Sequence, residues 1–108
     1  MADYIFSEKD NGASVEVQRG AKITIELNEN PTTGYRWTIR SIDKVFLEPE
    51  GDEFLPPGQA TPGAGGRRRF FFRAKGAGST ALTLISKRAW QRDDQAVGAF
   101  NLIICILN

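Results

Sequence analysis

Residues able to do chemistry are sparse in this chain. It contains no histidine, which excludes every Ser-His, Cys-His and His-metal arrangement. Cys105 is the only cysteine. Lying between Ile104 and Ile106 in an apolar stretch, it reads as inert packing rather than an activated thiolate, and it leaves no partner for an intrachain disulfide. Acidic residues gather at Glu48, Glu50, Asp52 and Glu53 and again at Asp93 and Asp94, where solvated loops are a simpler reading than a metal site or an acid/base pair. Gly63, Gly65 and Gly66 lack the Gly-Lys-Ser/Thr sequel and the helix of a phosphate loop. Arg67, Arg68 and Arg69 read as a solvated strand entrance at least as readily as a contact to nucleic acid. These residues suggest no enzyme, no metal and no cofactor.

The bulk properties agree. With 108 residues, 41% hydrophobic and 25% charged, the chain has the size and composition of a single globular domain spanning residues 1–108. A net charge of +1 is too small for the electrostatic footprint of a nucleic-acid-binding domain. The longest apolar run, residues 102–107, falls well short of the roughly 20 residues that span a bilayer, so no membrane partner is expected. Charges scattered through residues 1–10 do not make a secretion signal. The expectation is a soluble monomer in an intracellular compartment, cytoplasmic or vesicular/lysosomal.

The elements that must position any functional residues are strands. Tyr4 to Ser7 reads as a short first strand, followed by a hairpin-type turn at Asp10-Asn11-Gly12. Period-two alternation marks Ser14 to Gln18, Lys22 to Leu27, Tyr35 to Ile39, Phe70 to Ala74, Leu82 with Leu84, and Phe100 to Ile106. Alternation with Ile39 points Trp37 inward. Ile42 to Leu47 is the best candidate for a helical turn. About seven short strands without a repeat predict an all-β, immunoglobulin-like β-sandwich with no disulfide. Two connections are long for so small a domain: residues 48–66, dense in Pro and Gly, and residues 88–98, which carry Trp90. Connections of that kind are commonly functional.

Asn30-Pro31-Thr32-Thr33-Gly34-Tyr35-Arg36-Trp37 resembles the Asn-Pro-Thr-Thr-Gly-Phe/Tyr-x-Trp signature of the chagasin-type inhibitors of cysteine peptidases. Gly63-Ala64-Gly65-Gly66 matches that family's Gly-x-Gly-Gly, and Arg88-Ala89-Trp90 resembles its Arg-Pro-Trp. The three motifs follow in the family's order, and the resemblance covers residues 3–107. Ala89 departs from the usual proline, which leaves the unbound loop more freedom, an effect worth roughly 0.4–1 kcal/mol at comparable sites.

The resemblance implies an immunoglobulin-like sandwich whose motif loops emerge at one end as a wedge for the cleft of a papain-like protease, cathepsin L-like or a parasite or host equivalent. Implied contact residues are Asn30, Pro31, Thr32, Thr33, Gly34 and Tyr35 over the catalytic centre, Gly63, Ala64, Gly65 and Gly66 along the unprimed subsites, and Arg88, Ala89 and Trp90 on the primed side. The residue types suit these roles: Pro31 fixes a backbone angle, Gly34 permits a sharp reversal, Thr32 and Thr33 offer short polar groups, and the glycines expose backbone. Trp90 offers a large rigid contact. Inhibition would be reversible occlusion. The alternative is a non-inhibitory immunoglobulin-like module that binds protein or carbohydrate, since fold alone does not fix function.

Overall fold

The computed structural model describes residues 3–56 and 65–108, and Gly63 and Ala64 lie outside the described residues. Among the described residues eight strands follow in order: β1 (Asp3–Ser7), β2 (Ser14–Gln18), β3 (Lys22–Glu29), β4 (Tyr35–Ser41), β5 (Leu47–Leu55), β6 (Gly66–Ala74), β7 (Gly78–Arg88) and β8 (Gly98–Leu107). They form two four-stranded sheets, β1-β3-β6-β5 and β2-β8-β7-β4. β1 runs parallel to β3 and β2 parallel to β8, and every other pairing is antiparallel.

The core follows from side-chain alternation. Ile23, Ile25 and Leu27 of β3 and Phe70, Phe72 and Ala74 of β6 face Leu82 and Leu84 of β7 and Phe100, Leu102, Ile104 and Ile106 of β8. Trp37 and Ile39 pack against this cluster from β4, so Trp37 points inward as the alternation requires. Cys105 takes the opposite phase from Ile104 and Ile106; it is half-buried and unpaired.

Four expectations need correction. The Asp10-Asn11-Gly12 segment is not a hairpin turn, because β1 and β2 belong to different sheets. A short 3-10 turn at Glu8–Asp10 and Gly12 at φ 82° carry the chain from one sheet to the other. Residues 42–46 make a hydrogen-bonded turn, with the N–H groups of Phe46 and Leu47 donating to the Asp43 carbonyl, and no helix forms there. Much of the supposed 48–66 loop is strand β5, which raises the count among the described residues from the expected seven to eight. Its Pro49 is tolerated because β5 is an edge strand, and a register shift between Pro49 and Asp52, with Gly51 at φ 100°, absorbs the glycine.

Finally, the arginines at the start of β6 are not simply solvated. Arg67 and Arg69 both donate to Glu26 on the outer face of β3, which holds the Glu26 carboxyl below its usual range, chiefly through the Arg67 and then the Arg69 hydrogen bond. Arg68 alternates inward and is buried. Among the described residues no helix is long and apolar enough to cross a membrane.

Candidate functional site

The strand registers gather three loops at one end of the sandwich. Glu29, the last residue of β3, pairs with Gly66, the first of β6, and Tyr35, the first of β4, pairs with Arg88, the last of β7. The β3–β4 loop, the β5–β6 connection and the β7–β8 loop therefore leave the same end.

The first loop is a 3-10 turn, Pro31–Thr33, capped at both ends. Asn30 Oδ1 accepts the Thr32 N–H at 3.1 Å, as a short polar cap should. Pro31 stands where a missing N–H costs nothing. Gly34 closes the turn at φ 80°, the left-handed position that favours glycine. Thr32 Oγ1 donates to Asn30 Oδ1 at 2.7 Å, and Thr33 Oγ1 donates to the Asn30 carbonyl at 2.8 Å. Since those acceptors cannot donate, both hydroxyl protons are committed inside the loop, and the two hydroxyls have only oxygen lone pairs left for a partner. Pro31, Thr32, Thr33 and Gly34 are exposed, and Asn30 and Tyr35 are partly covered.

The third loop is built differently. Arg88 N–H donates to Gln91 Oε1 at 2.8 Å, Gln91 N–H returns to the Arg88 carbonyl at 3.0 Å, and Lys87 Nζ donates to the Gln91 carbonyl at 2.9 Å and pairs with Asp93 at 3.0 Å. These bonds hold the loop without a proline at the exposed Ala89. Trp90 at the tip is 78% exposed, a large apolar ring left in water in the folded chain.

Arg88 joins the two loops. Its Nε donates to the Thr33 carbonyl at 3.3 Å, and its guanidinium lies 4.5 Å from the Tyr35 ring and 5.9 Å from the Trp90 ring. Arg88 thus braces Trp90 and ties the third loop to the first.

The end of the second connection lies against the first. A Cβ on Gly65 would come within 3.3 Å of the Glu29 carbonyl and 3.4 Å of Asn30 Cβ, so the loops touch there. Gly65 is exposed and Gly66 is buried. A Cβ on Gly66 would sit 2.2 Å from the Leu55 carbonyl oxygen and 2.6 Å from the Phe54 ring, so the structure requires glycine there to let β5 and β6 pack.

Sequence reasoning missed the pair beneath the loops. Glu29, with its side chain 2% exposed, accepts Arg68 Nη2 at 2.8 Å and Nε at 3.0 Å. Arg68 Nη1 reaches Asp52 at 2.9 Å, and its guanidinium lies 5.5 Å from the Phe54 ring. Burial works against the Arg68 charge, yet Glu29 and Asp52 outweigh it and raise its pKa above the ordinary value. Removing one member of such a pair commonly costs about 3–5 kcal/mol because a buried charge is left alone. The one available signal was that Glu29 and Arg68 both fall on the inward phase of their strands. Among the described residues no cluster of three or more His, Cys, Asp or Glu residues could hold a metal.

Known structures share this architecture. A cysteine protease inhibitor from Entamoeba histolytica, EhICP2, superposes with a TM-score of 0.81 at 23% identity, covering 97% of this chain and 95% of that one. PbICP-C, solved in complex with falcipain-2, superposes at 0.71 and 13% identity, covering 95% and 89%. The fold is thus an immunoglobulin-like sandwich shared with these structures. The sequence pattern of the chagasin family peptidase inhibitor I42 matches residues 16–104. Chagasin of Trypanosoma cruzi is 35% identical over 85 residues, 74% of this chain and 76% of chagasin. The chain belongs to the chagasin family of peptidase inhibitors, and it is an inhibitor rather than an enzyme.

Proposed function

We propose that this protein is a reversible, tight-binding inhibitor of papain-like cysteine proteases that occludes the active-site cleft with its three loops. The observation that carries this reading is the bracing of exposed Trp90 and the exposed Thr32-Thr33 turn into one edge by Arg88. The first loop covers the catalytic centre. Its threonines offer lone pairs, which suit the N–H of an imidazolium better than a thiolate. Residues 63–66 run along the unprimed subsites, where Gly65 exposes backbone able to pair as an extended strand. Trp90 anchors the primed side as a rigid aromatic contact. No bond in the inhibitor is broken and no covalent adduct forms. The kinship with chagasin and the falcipain-2 complex of the PbICP-C relative support this assignment.

The test is titration into papain and a cathepsin L-like enzyme with a fluorogenic peptide, with trypsin as the control. Saturable one-to-one inhibition of the cysteine proteases, reversed on dilution with the inhibitor recovered intact, is expected. Absence of inhibition across several papain-like enzymes overturns the assignment.

A further inference from the structure

The three loops differ in what fixes their feet. The second connection joins β5 to β6 and the third joins β7 to β8, and each of these pairs is a hydrogen-bonded antiparallel ladder running to its loop: Leu55 pairs with Arg67, and Ser86 with Gly98. The first loop instead leaves β3 in one sheet and enters β4 in the other. No ladder joins those strands, so backbone pairing cannot set the spacing of its feet.

Side chains supply the missing bonds. Glu29 Oε1 accepts the backbone N–H of Trp37 at 2.8 Å, and the Trp37 indole N–H donates to the Asn28 carbonyl at 2.8 Å. The two straps are reciprocal: Glu29, just before the loop, grips the strand after it, and Trp37, three positions past the loop's end, grips the strand before it. Glu29 is held in turn by Arg68, which is anchored to Asp52 on β5.

We infer that Glu29 and Trp37, with Arg68 as the support of Glu29, are positioning residues that clamp the base of the Asn30–Gly34 loop and preset it for its target. The clamp rests on the proposed inhibitory role only for its effect on inhibition; its effect on loop order stands alone.

The test uses the full chain labelled with nitrogen-15. Glu29→Leu with Arg68→Met replaces the pair by apolar groups, an exchange that buried ion pairs often tolerate without loss of stability, while removing the strap to Trp37. Trp37→Phe keeps an aromatic side chain against the core and removes the indole bond together with part of the ring's packing. Amide relaxation is read at Asn30 and residues 32–34, since Pro31 has no N–H, with residues 89–97 as an internal control because their feet are held by a ladder.

Mobility rising at 30–34 and not at 89–97, together with an inhibition constant against papain raised about tenfold or more by loop-ordering losses, is the expected result. Trp37→Phe gives the smaller change of the same pattern. Equal order at 30–34 in the variants, or loosening shared equally by both loops, overturns the clamp. Should the double variant not fold, Trp37→Phe decides by the same two outcomes. If the unaltered chain inhibits no papain-like enzyme, the proposed function fails while the relaxation data still decide the clamp.

Discussion

Replacing Trp90 by alanine is expected to weaken inhibition by two to three orders of magnitude and to leave folding almost untouched. The ring is 78% exposed in the free chain, so nearly all of its burial is available to a partner. An aromatic side chain of this size buries at most about 200 Å², and at about 25 cal/mol per Å² that sets a ceiling near 5 kcal/mol. Ordering the side chain on binding takes back about 0.5–1.5 kcal/mol. A net of at most about 3.5–4.5 kcal/mol corresponds to a ceiling of roughly 10³-fold in the inhibition constant. On the folding side, an exposed substitution moves stability by about 0.5 kcal/mol or less, which is a few degrees in melting temperature for a chain of ~100 residues. The assay pairs a fluorogenic titration of papain with a thermal melt of the same preparation. An inhibition constant within about fivefold of the unaltered protein refutes the anchoring argument. A parallel fall in melting temperature shows that the ring serves the fold instead.

Gly66→Ala and Gly65→Ala should separate scaffold from surface: the first forces a methyl against the Leu55 carbonyl and the Phe54 ring and should cost about 3 kcal/mol or more by overpacking. Gly65→Ala should lower the melt far less, because its methyl asks only that the Glu29 carbonyl give by a few tenths of an ångström, while weakening inhibition, and equal melting of the two variants contradicts this assignment. Arg88→Lys should weaken inhibition by about fivefold, because lysine lacks the planar fork that reaches the Thr33 carbonyl while stacking on Tyr35; unchanged inhibition would show that the loops do not depend on the bridge. Glu26 has its pKa lowered in the folded state by Arg67 and Arg69, so its contribution is present above the ordinary carboxylate pKa of 4.5 and is lost as pH falls through the depressed folded value. Melts across pH 3 to 7 should thus show stability declining only on the acid side, and Glu26→Gln should flatten part of that decline. An equal decline in both proteins assigns it to other groups.

Much of the site was legible because its determinants are local. The Asn30–Gly34 loop is closed by bonds spanning two or three residues, and its Pro and Gly stand where the backbone demands them, so the octapeptide carries its conformation with it. The same holds for the inward phase of β3, β6 and β8, where alternation alone separates core from surface. Strand β5 was not legible: Leu-Glu-Pro-Glu-Gly-Asp-Glu-Phe-Leu is poor in strand formers, and it is extended because β6 offers a ladder and the Arg68 and Arg73 side chains pair with Asp52 and Glu50.

Residue identity and short-range spacing are enough to establish the loop motifs, the all-β class and the absence of histidine chemistry. Tertiary structure alone decided that Gly66 is buried while Gly65 is exposed, that β1 and β2 divide between the sheets, and that Glu29 meets Arg68 across 39 positions of chain. Those outcomes depend on which strands become neighbours, and a pairing between distant segments is set by the burial and hydrogen bonding of the whole sandwich rather than by any window of sequence.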